Sequence, residues 1–370
     1  MSGTVVATRA GDVRLTVDAR ALAANTRELL RHGGVPAMAV VKSDGYGHGL
    51  VELARAALVG GASGLGMTSL GDAAELRAAG IRAPLLCWSA ADADAEAAAE
   101  LDCAVAVADA GLLRRLASGP RPVRVHLHLD SGLHRDGAGG SELSALATLA
   151  AEEERRGRIA VEGVMTHLDH PASPDDAGVV AAIGRFRRGV AVVRRHGLRP
   201  RLLHLGGTPA ALLMPPARAG MVRVGAGLVG IAPPGIVDLR PAMTFDAPLV
   251  EVRELAPGDA VGYGGDWIAD RPTRIGLVPV GYGDGLPRQA AGVRVSVGGR
   301  RHPVVGRMSM NCLTVDLGDS AAAVGDRVVL LGDPGHDEPT AEDWARVAGT
   351  IAHEIVTGVG RCGRGRRRLA

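Results

Sequence analysis

The sequence predicts an α/β chain made of an N-terminal (β/α)8 TIM barrel followed by a C-terminal all-β domain. Three observations lead there. Between about Ala37 and Gly230, eight short apolar runs alternate with Ala/Arg/Glu-rich segments of helical period. Continuous apolar runs read as strands buried on both faces, which is the mark of a parallel sheet, and eight strand–helix repeats suffice to close a barrel. After Pro241 the helical stretches give way to Val-rich segments punctuated by Gly, Pro and Asp, the texture of short strands and turns. Finally, 370 residues exceed one ordinary core, which suits a large barrel joined to a smaller unit.

In chain order, residues 13–17 read as a strand and 20–31 as a helix ahead of the barrel. The eight runs are 37–41, 64–67, 84–88, 104–107, 123–129, 160–167, 202–205 and 221–225. The boundary falls near Asp238 to Pro241, giving a barrel over 1–240, with residues near 1–14 free to join the other unit, and a β domain over 241–370. Within the latter, 249–255, 274–280, 293–297, 304–306 and 327–331 read as strands, and one helix is expected near 341–351.

Composition narrows the partners. With 42 basic against 40 acidic residues there is no general polyanion signal, so neither nucleic acid nor a membrane surface is expected. The arginine run at 361–368 lacks aromatic interleaving and reads as a solvated tail. Cys87, Cys103, Cys312 and Cys362 show no metal-ligand spacing, and the chain is too long for a disulfide-stapled scaffold, which points to reduced thiols in a cytoplasmic protein. Residues 1–14 lack a signal-peptide core, and no segment approaches the ~20 apolar residues of a membrane span.

The chemistry begins with Lys42, the sole lysine among those 42 basic residues. Arginine stays protonated, whereas a lysine freed of its proton can condense with an aldehyde to form a Schiff base. The three tyrosines, Tyr46, Tyr263 and Tyr282, each lie between two glycines, a setting that presents a phenol to a ligand rather than packing its ring into a core. Barrel enzymes place their sites at the C-terminal ends of the strands. Lys42 ends the first run, 130–135 follow the fifth, His167 ends the sixth, Gly206-Gly207-Thr208 follow the seventh and 223–226 close the eighth.

The segment Val40-Val41-Lys42-Ser43-Asp44-Gly45-Tyr46-Gly47-His48-Gly49 resembles the pyridoxal phosphate attachment motif of alanine racemases, and ordered matches continue along nearly the whole chain. Gly163-Val164-Met165-Thr166-His167 resembles the family's histidine strand, and Met221-Val222-Arg223-Val224-Gly225 its arginine strand. Pro241-Ala242-Met243-Thr244, Val261-Gly262-Tyr263-Gly264, Gly281-Tyr282-Gly283-Asp284-Gly285 and Val305-Gly306-Arg307-Met308-Ser309-Met310 resemble successive stretches of its β domain.

The resemblance implies a pyridoxal-phosphate-dependent amino-acid racemase acting on alanine. Lys42 would hold the cofactor and serve as acid and base on one face of the substrate. Tyr263, from the other subunit of a homodimer with shared active sites, would serve the opposite face, since inversion needs a proton removed on one side and returned on the other. Arg223 would hydrogen-bond the pyridine nitrogen, and because arginine cannot accept its proton the ring would be a restrained electron sink. His167 would pack on the ring and link Tyr263 to Arg223. Tyr46, Thr208 and the backbone amides of Gly225 and Ala226 would hold the phosphate. Arg135 would face the cofactor's phenolic oxygen and the substrate carboxylate, Met310 would help hold that carboxylate through its backbone, and Tyr282 would line the entrance.

Four features depart from the pattern. His128 stands where many members carry a carbamylated lysine, so His128 itself, Asp136 or a bound anion would have to hold Arg135. Asn311 replaces the usual aspartate beside Met310, which removes a carboxylate at the inner entrance. Gly207 stands where asparagine is common, and the family's late phosphate-binding tyrosine has no evident counterpart near Arg361. These changes motivate an alternative reading, a racemase for serine or another amino acid, including one of secondary metabolism. A decarboxylase or aldolase on the same fold, and a non-catalytic cofactor carrier, rank below it.

Overall fold

The computed structural model describes residues 13–88, 93–169, 176–233, 235–362 and 367–369. The chain forms two compact units, one of Leu22–Gly45 and Leu50–Leu239, the other of Met1–Ala21, Tyr46–Gly49 and Arg240–Ala370.

The first unit is the expected barrel. Its strands are β2 (Ala37–Val40), β3 (Gly64–Met67), β4 (Leu85–Cys87), β5 (Cys103–Val107), β6 (Val123–His128), β7 (Ile159–Met165), β8 (Leu202–His204) and β9 (Val222–Val224). All pair in parallel, in the order β8-β7-β6-β5-β4-β3-β2-β9. Every residue of β2, β3, β4 and β5 is buried, which is why these strands read as unbroken apolar runs. Met38, Leu86, Ala104, Ala106, Met165 and Met221 pack into one interior cluster. Side-chain carboxylates or hydroxyls of Ser69, Asp94, Asp109 and Asp176 accept from backbone amides in the first turns of the helices that follow them, giving each a definite start.

Two details of the barrel matter below. The seam between β8 and β9 carries no ladder; isolated backbone bonds cross near it, Gly220 N to Leu203 O at 3.1 Å and Arg223 N to Gly206 O at 3.2 Å. The register of β6 on β7 shifts, with Val125 opposite Val161 but His126 opposite Gly163, so Glu162 is the extra residue of a bulge. The sixth run also ends as a strand at Met165, which leaves Thr166 and His167 on the loop beyond it.

The second unit is built on a nine-stranded sheet in the order β11-β14-β17-β16-β15-β18-β10-β1-β19. Its strands are β1 (Arg14–Val17), β10 (Met243–Pro248), β11 (Glu251–Leu255), β14 (Thr273–Val278), β15 (Arg294–Val297), β16 (Arg300–Val305), β17 (Leu313–Gly318), β18 (Arg327–Leu331) and β19 (Arg367–Leu369). A two-stranded ribbon, β12 (Ala260–Val261) with β13 (Trp267–Ile268), stands beside it. The strand at 13–17 belongs here: Leu15 pairs with Phe245 antiparallel and with Arg367 in parallel.

That pairing corrects the solvated-tail reading of the arginine run. Arg361 and Cys362 end a helix and Arg367–Leu369 form an edge strand, while residues 363–366, like the start at 1–12, lie outside the described residues. Two helices rather than one cover the end of the chain, Ala341–Ala348 and Ala352–Cys362. Trp344 on the first is fully buried and its Nε1–H donates to Leu330 O at 2.6 Å. The second was unreadable because Gly358 and Gly360 break its helical signature. They are needed for close backbone approach: a Cβ on Gly360 would stand 2.1 Å from Gly47 O, and one on Gly358 2.7 Å from Gly285 O. Among the described residues, no helix is long and apolar enough to cross a membrane.

Candidate active site

The barrel brings Lys42, Arg135, His128, His167 and Arg223 within electrostatic reach of one another. Lys42 leaves β2 into a turn of the wrong hand for L-residues: Ser43, Asp44, Gly45 and Tyr46 all have φ between 55 and 59°. Left-handed backbone costs roughly 1–2 kcal/mol per non-glycine residue. The turn is secured within the barrel unit by Asp44 Oδ1, which accepts from Leu50 N at 3.0 Å at the start of the next helix, and by Gly45 N, which donates to Val41 O at 2.9 Å. Burial first, then the charges of Arg135 and Arg223, hold the Lys42 ammonium below its ordinary value. The neutral, nucleophilic amine is thereby favoured.

Arg223 on β9 is fully enclosed and spans three strands. Its Nη1 donates to His204 Nδ1 at 2.8 Å, and its Nη2 faces Thr166 O at 2.7 Å, Leu205 O at 3.1 Å and His167 Nδ1 at 3.2 Å. No carboxylate is among these partners. Burial, with Arg135 nearby, pushes its pKa down to about 10, which still leaves it a cation at neutral pH. Burial and the facing arginines push His167 down to about 3, so that ring is neutral.

Thr208 opens a short helix and its Oγ1 accepts from the amides of both Gly225 and Gly227, each at 3.2 Å. Thr208 and Gly225, two of the residues expected around the phosphate, thus lie together with Ala226 between the two amides; both amides donate to Thr208 Oγ1, which leaves the Thr208 hydroxyl proton to be given elsewhere. His128 is buried with its Nδ1 3.4 Å from Asp136 Oδ2, while Asp136 Oδ1 accepts from Gly137 N at 2.8 Å. Burial dominates and lowers the His128 pKa, with Asp136 opposing and Arg223 and Arg135 reinforcing the shift. Of the substitutes expected for the carbamate, the structure pairs His128 with Asp136 and leaves Arg135 exposed.

The second unit carries the remaining expected residues. Tyr263 is 67% exposed on a tight turn in which Gly262, Gly264 and Gly265 all have positive φ. Arg307 clamps that turn by a two-pronged ion pair, its Nε to Asp266 Oδ2 and its Nη2 to Oδ1. The Tyr282 turn is zipped to the Met310 loop, with Tyr282 N donating to Ser309 O at 3.2 Å and Gly283 N to Met310 O at 2.7 Å. Met310 and Asn311 are exposed there. Tyr46 is buried against His353, its ring centroid 6.1 Å away, and burial drives its phenol pKa well up. A cleft of about 620 Å³ beside the Tyr263 turn is lined by Asp266, Trp267, Arg288, Pro303, Val305 and Arg307, and contains none of the expected site residues.

Sequence reasoning passed over His126 and His204. Both are buried in strand cores and their rings bond to each other, Nδ1 to Nε2, at 2.8 Å. The available signal was a histidine at the C-terminal end of the seventh run, equivalent in place to His167 on the sixth.

Known proteins resemble this chain from end to end. The family profile of the alanine racemase N-terminal domain matches residues 17–233, and that of the C-terminal domain matches 242–367. Alanine racemase of Thermobifida fusca is 41% identical over 360 residues, covering 93% of this chain and 95% of the relative. That of Streptomyces coelicolor is 38% identical, covering 94% and 93%. The crystal structure of alanine racemase from D-cycloserine-producing Streptomyces lavendulae superposes with a TM-score of 0.93 at 36% identity over 98% of each chain. These relatives favour alanine over the serine-type alternative that His128 and Asn311 suggested. A barrel with a β domain, matched by both profiles over nearly its whole length, makes this chain a member of the alanine racemase family of isomerases.

Proposed function

We propose that the chain interconverts L- and D-alanine with pyridoxal 5'-phosphate held in the barrel unit, Lys42 and Tyr263 serving opposite faces of Cα. The observation that carries this is the sole lysine, its amine favoured in the neutral form by burial and by Arg135 and Arg223. The donor set fits the cofactor. Arg223 and Arg135 supply positive charge with no carboxylate bonded to Arg223, while Thr208 at a short helix start accepts from the Gly225 and Gly227 amides and keeps its own hydroxyl proton to donate.

When bound, the cofactor supplies an electron sink that acidifies the substrate Cα–H. Lys42 Nζ, neutral once its proton is shed, takes or returns the proton on one face. The Tyr263 phenol does so on the other, delivered on its glycine turn by a second copy of the chain, which makes the working unit a homodimer. Arg223 offers only N–H donors, so a ring nitrogen facing it would have to accept and stay unprotonated, which restrains the sink and favours simple inversion. His167 accepts from Arg223 on Nδ1 and is neutral, so its proton lies on Nε2, aimed away from the guanidinium. Arg135 binds the substrate carboxylate, with Met310 assisting through its backbone; Tyr282 and Asn311 line the entrance. The four free cysteines, two of them buried, suit a cytoplasmic setting.

The test is incubation of protein and pyridoxal phosphate with L-amino acids in deuterated water, following Cα deuteration by NMR and product handedness by chiral chromatography. Alanine should lead with D-product, and Lys42→Ala should abolish both exchange and cofactor attachment. Turnover by that variant without added amine would reject the assignment.

A further inference from the structure

We propose that His126 is a positioning residue for the reaction, the terminal acceptor of a buried hydrogen-bond chain that anchors the His204 ring and so helps hold the Arg223 guanidinium in one orientation. The inference rests on Arg223 being the group that faces the cofactor ring.

The chain runs outward from a group that can only donate. Arg223 Nη1 lies 2.8 Å from His204 Nδ1, so that nitrogen must accept and carries no proton. A neutral His204 then has its proton on Nε2, which lies 2.8 Å from His126 Nδ1. His126 Nδ1 in turn accepts, and its own proton sits on Nε2. On the other arm, Arg223 Nη2 points at His167 Nδ1 at 3.2 Å, which puts the His167 proton on Nε2 as well. All three rings are assigned one tautomer by a single arginine. Burial dominates in each and disfavours their charged forms: His126 is pushed down to about 3, and His204, with Arg223 and His126 adding to its shift, falls well below the ordinary value.

The fold makes room for this chain. The β6–β7 bulge sets His126 opposite Gly163, and a Cβ at that glycine would stand 2.4 Å from His126 Nδ1. The two imidazoles meet nearly edge to face, centroids 5.0 Å apart at 64°, which aims one ring nitrogen at the other. Without His126, the His204 Nε2–H would be a buried donor with its acceptor removed, and the ring could find another partner only by turning, which would carry its Nδ1 away from Arg223.

Two variants separate acceptor from bulk. His126→Asn keeps an acceptor near the Nδ1 position; His126→Leu fills space without one. Long-range 15N–1H spectra of the 15N-histidine-labelled holoenzyme should show neutral Nε2–H signals for His126, His167 and His204. In His126→Leu the His204 Nε2–H signal should lose the shift of a hydrogen-bonded donor and kcat should fall about tenfold, with KM within about twofold, as expected for one mispositioned charged group. His126→Asn should retain both, and Gly163→Ala, which displaces the ring, should resemble His126→Leu. An unchanged His204 Nε2–H signal in His126→Leu would overturn the proposal. A changed signal with an unchanged rate would keep the chain but overturn its link to catalysis, while the placing of Arg223 against the cofactor would stand, since its other three partners are untouched.

Discussion

Replacing Arg223 by leucine should open the barrel as well as silence it. The guanidinium serves four acceptors, His204 Nδ1, Thr166 O, Leu205 O and His167 Nδ1. Stranding a buried acceptor costs about 1–3 kcal/mol, and because these share one donor group the losses add incompletely, to about 4–8 kcal/mol. Against this, burial holds the arginine at about 10 rather than 12.5, so removing the charge returns roughly 3 kcal/mol. The lost bonds win, and a net destabilisation of about 3 kcal/mol is expected. It should be local, because these side-chain bonds cross the β8–β9 seam where the strands have no ladder. Hydrogen–deuterium exchange read peptide by peptide is the assay. Peptides covering Leu203 and Arg223 should exchange at least tenfold faster in Arg223→Leu, while those covering β3 and β4 hold their rates. Equal protection at the seam, or uniform loss around the barrel, would refute the reasoning.

Other perturbations follow from the same geometry. Cofactor attachment needs the neutral Lys42 amine, so its rate should rise with pH and level off below the ordinary lysine value of 10.5; Arg135→Gln, which removes a nearby positive charge, should move that inflection upward. A titration curve indistinguishable from free lysine would contradict the site's electrostatics. Tyr263→Phe should exchange the Cα proton of one alanine enantiomer far faster than the other in deuterated water, and equal slowing of both would argue against two separate faces. Gly360→Ala sets a methyl 2.1 Å from a backbone oxygen and should cost at least about 2 kcal/mol by denaturant titration, whereas Gly139→Ala meets nothing within 4 Å and should stay within about 0.5 kcal/mol.

The barrel was legible because its strands are short, wholly buried and therefore unbroken apolar runs; β3 and β5 could hardly read otherwise. Strands of the second unit were legible where valines cluster, as at Arg327–Leu331, and missed at Met243–Pro248, where a proline and an aspartate interrupt the pattern. Lys42 and Arg223 stood out by composition and by their place at strand ends. His204 and His126 did not, since a histidine within an apolar run looks like a satisfied core residue until a second ring is found facing it. The pairing of His128 with Asp136 also lay beyond sequence, because it depends on a loop that brings position 136 back over the strand carrying position 128.

The reversed-hand turn after Lys42 bears on how the site can be transplanted. Three of its four residues, Ser43, Asp44 and Tyr46, carry side chains in a backbone region that short peptides of this sequence would avoid. Its shape is therefore imposed by its surroundings: Asp44 Oδ1 accepts from Leu50 N, and Gly45 N donates to Val41 O. Grafting a lysine onto the end of a strand in some other barrel would supply the amine without its bearing. The portable unit is at least the whole block from Lys42 through Leu53 together with the helix Ala352–Cys362 that backs it at Gly47 and Tyr46, and an engineer who moves less should expect a reactive amine that points nowhere in particular.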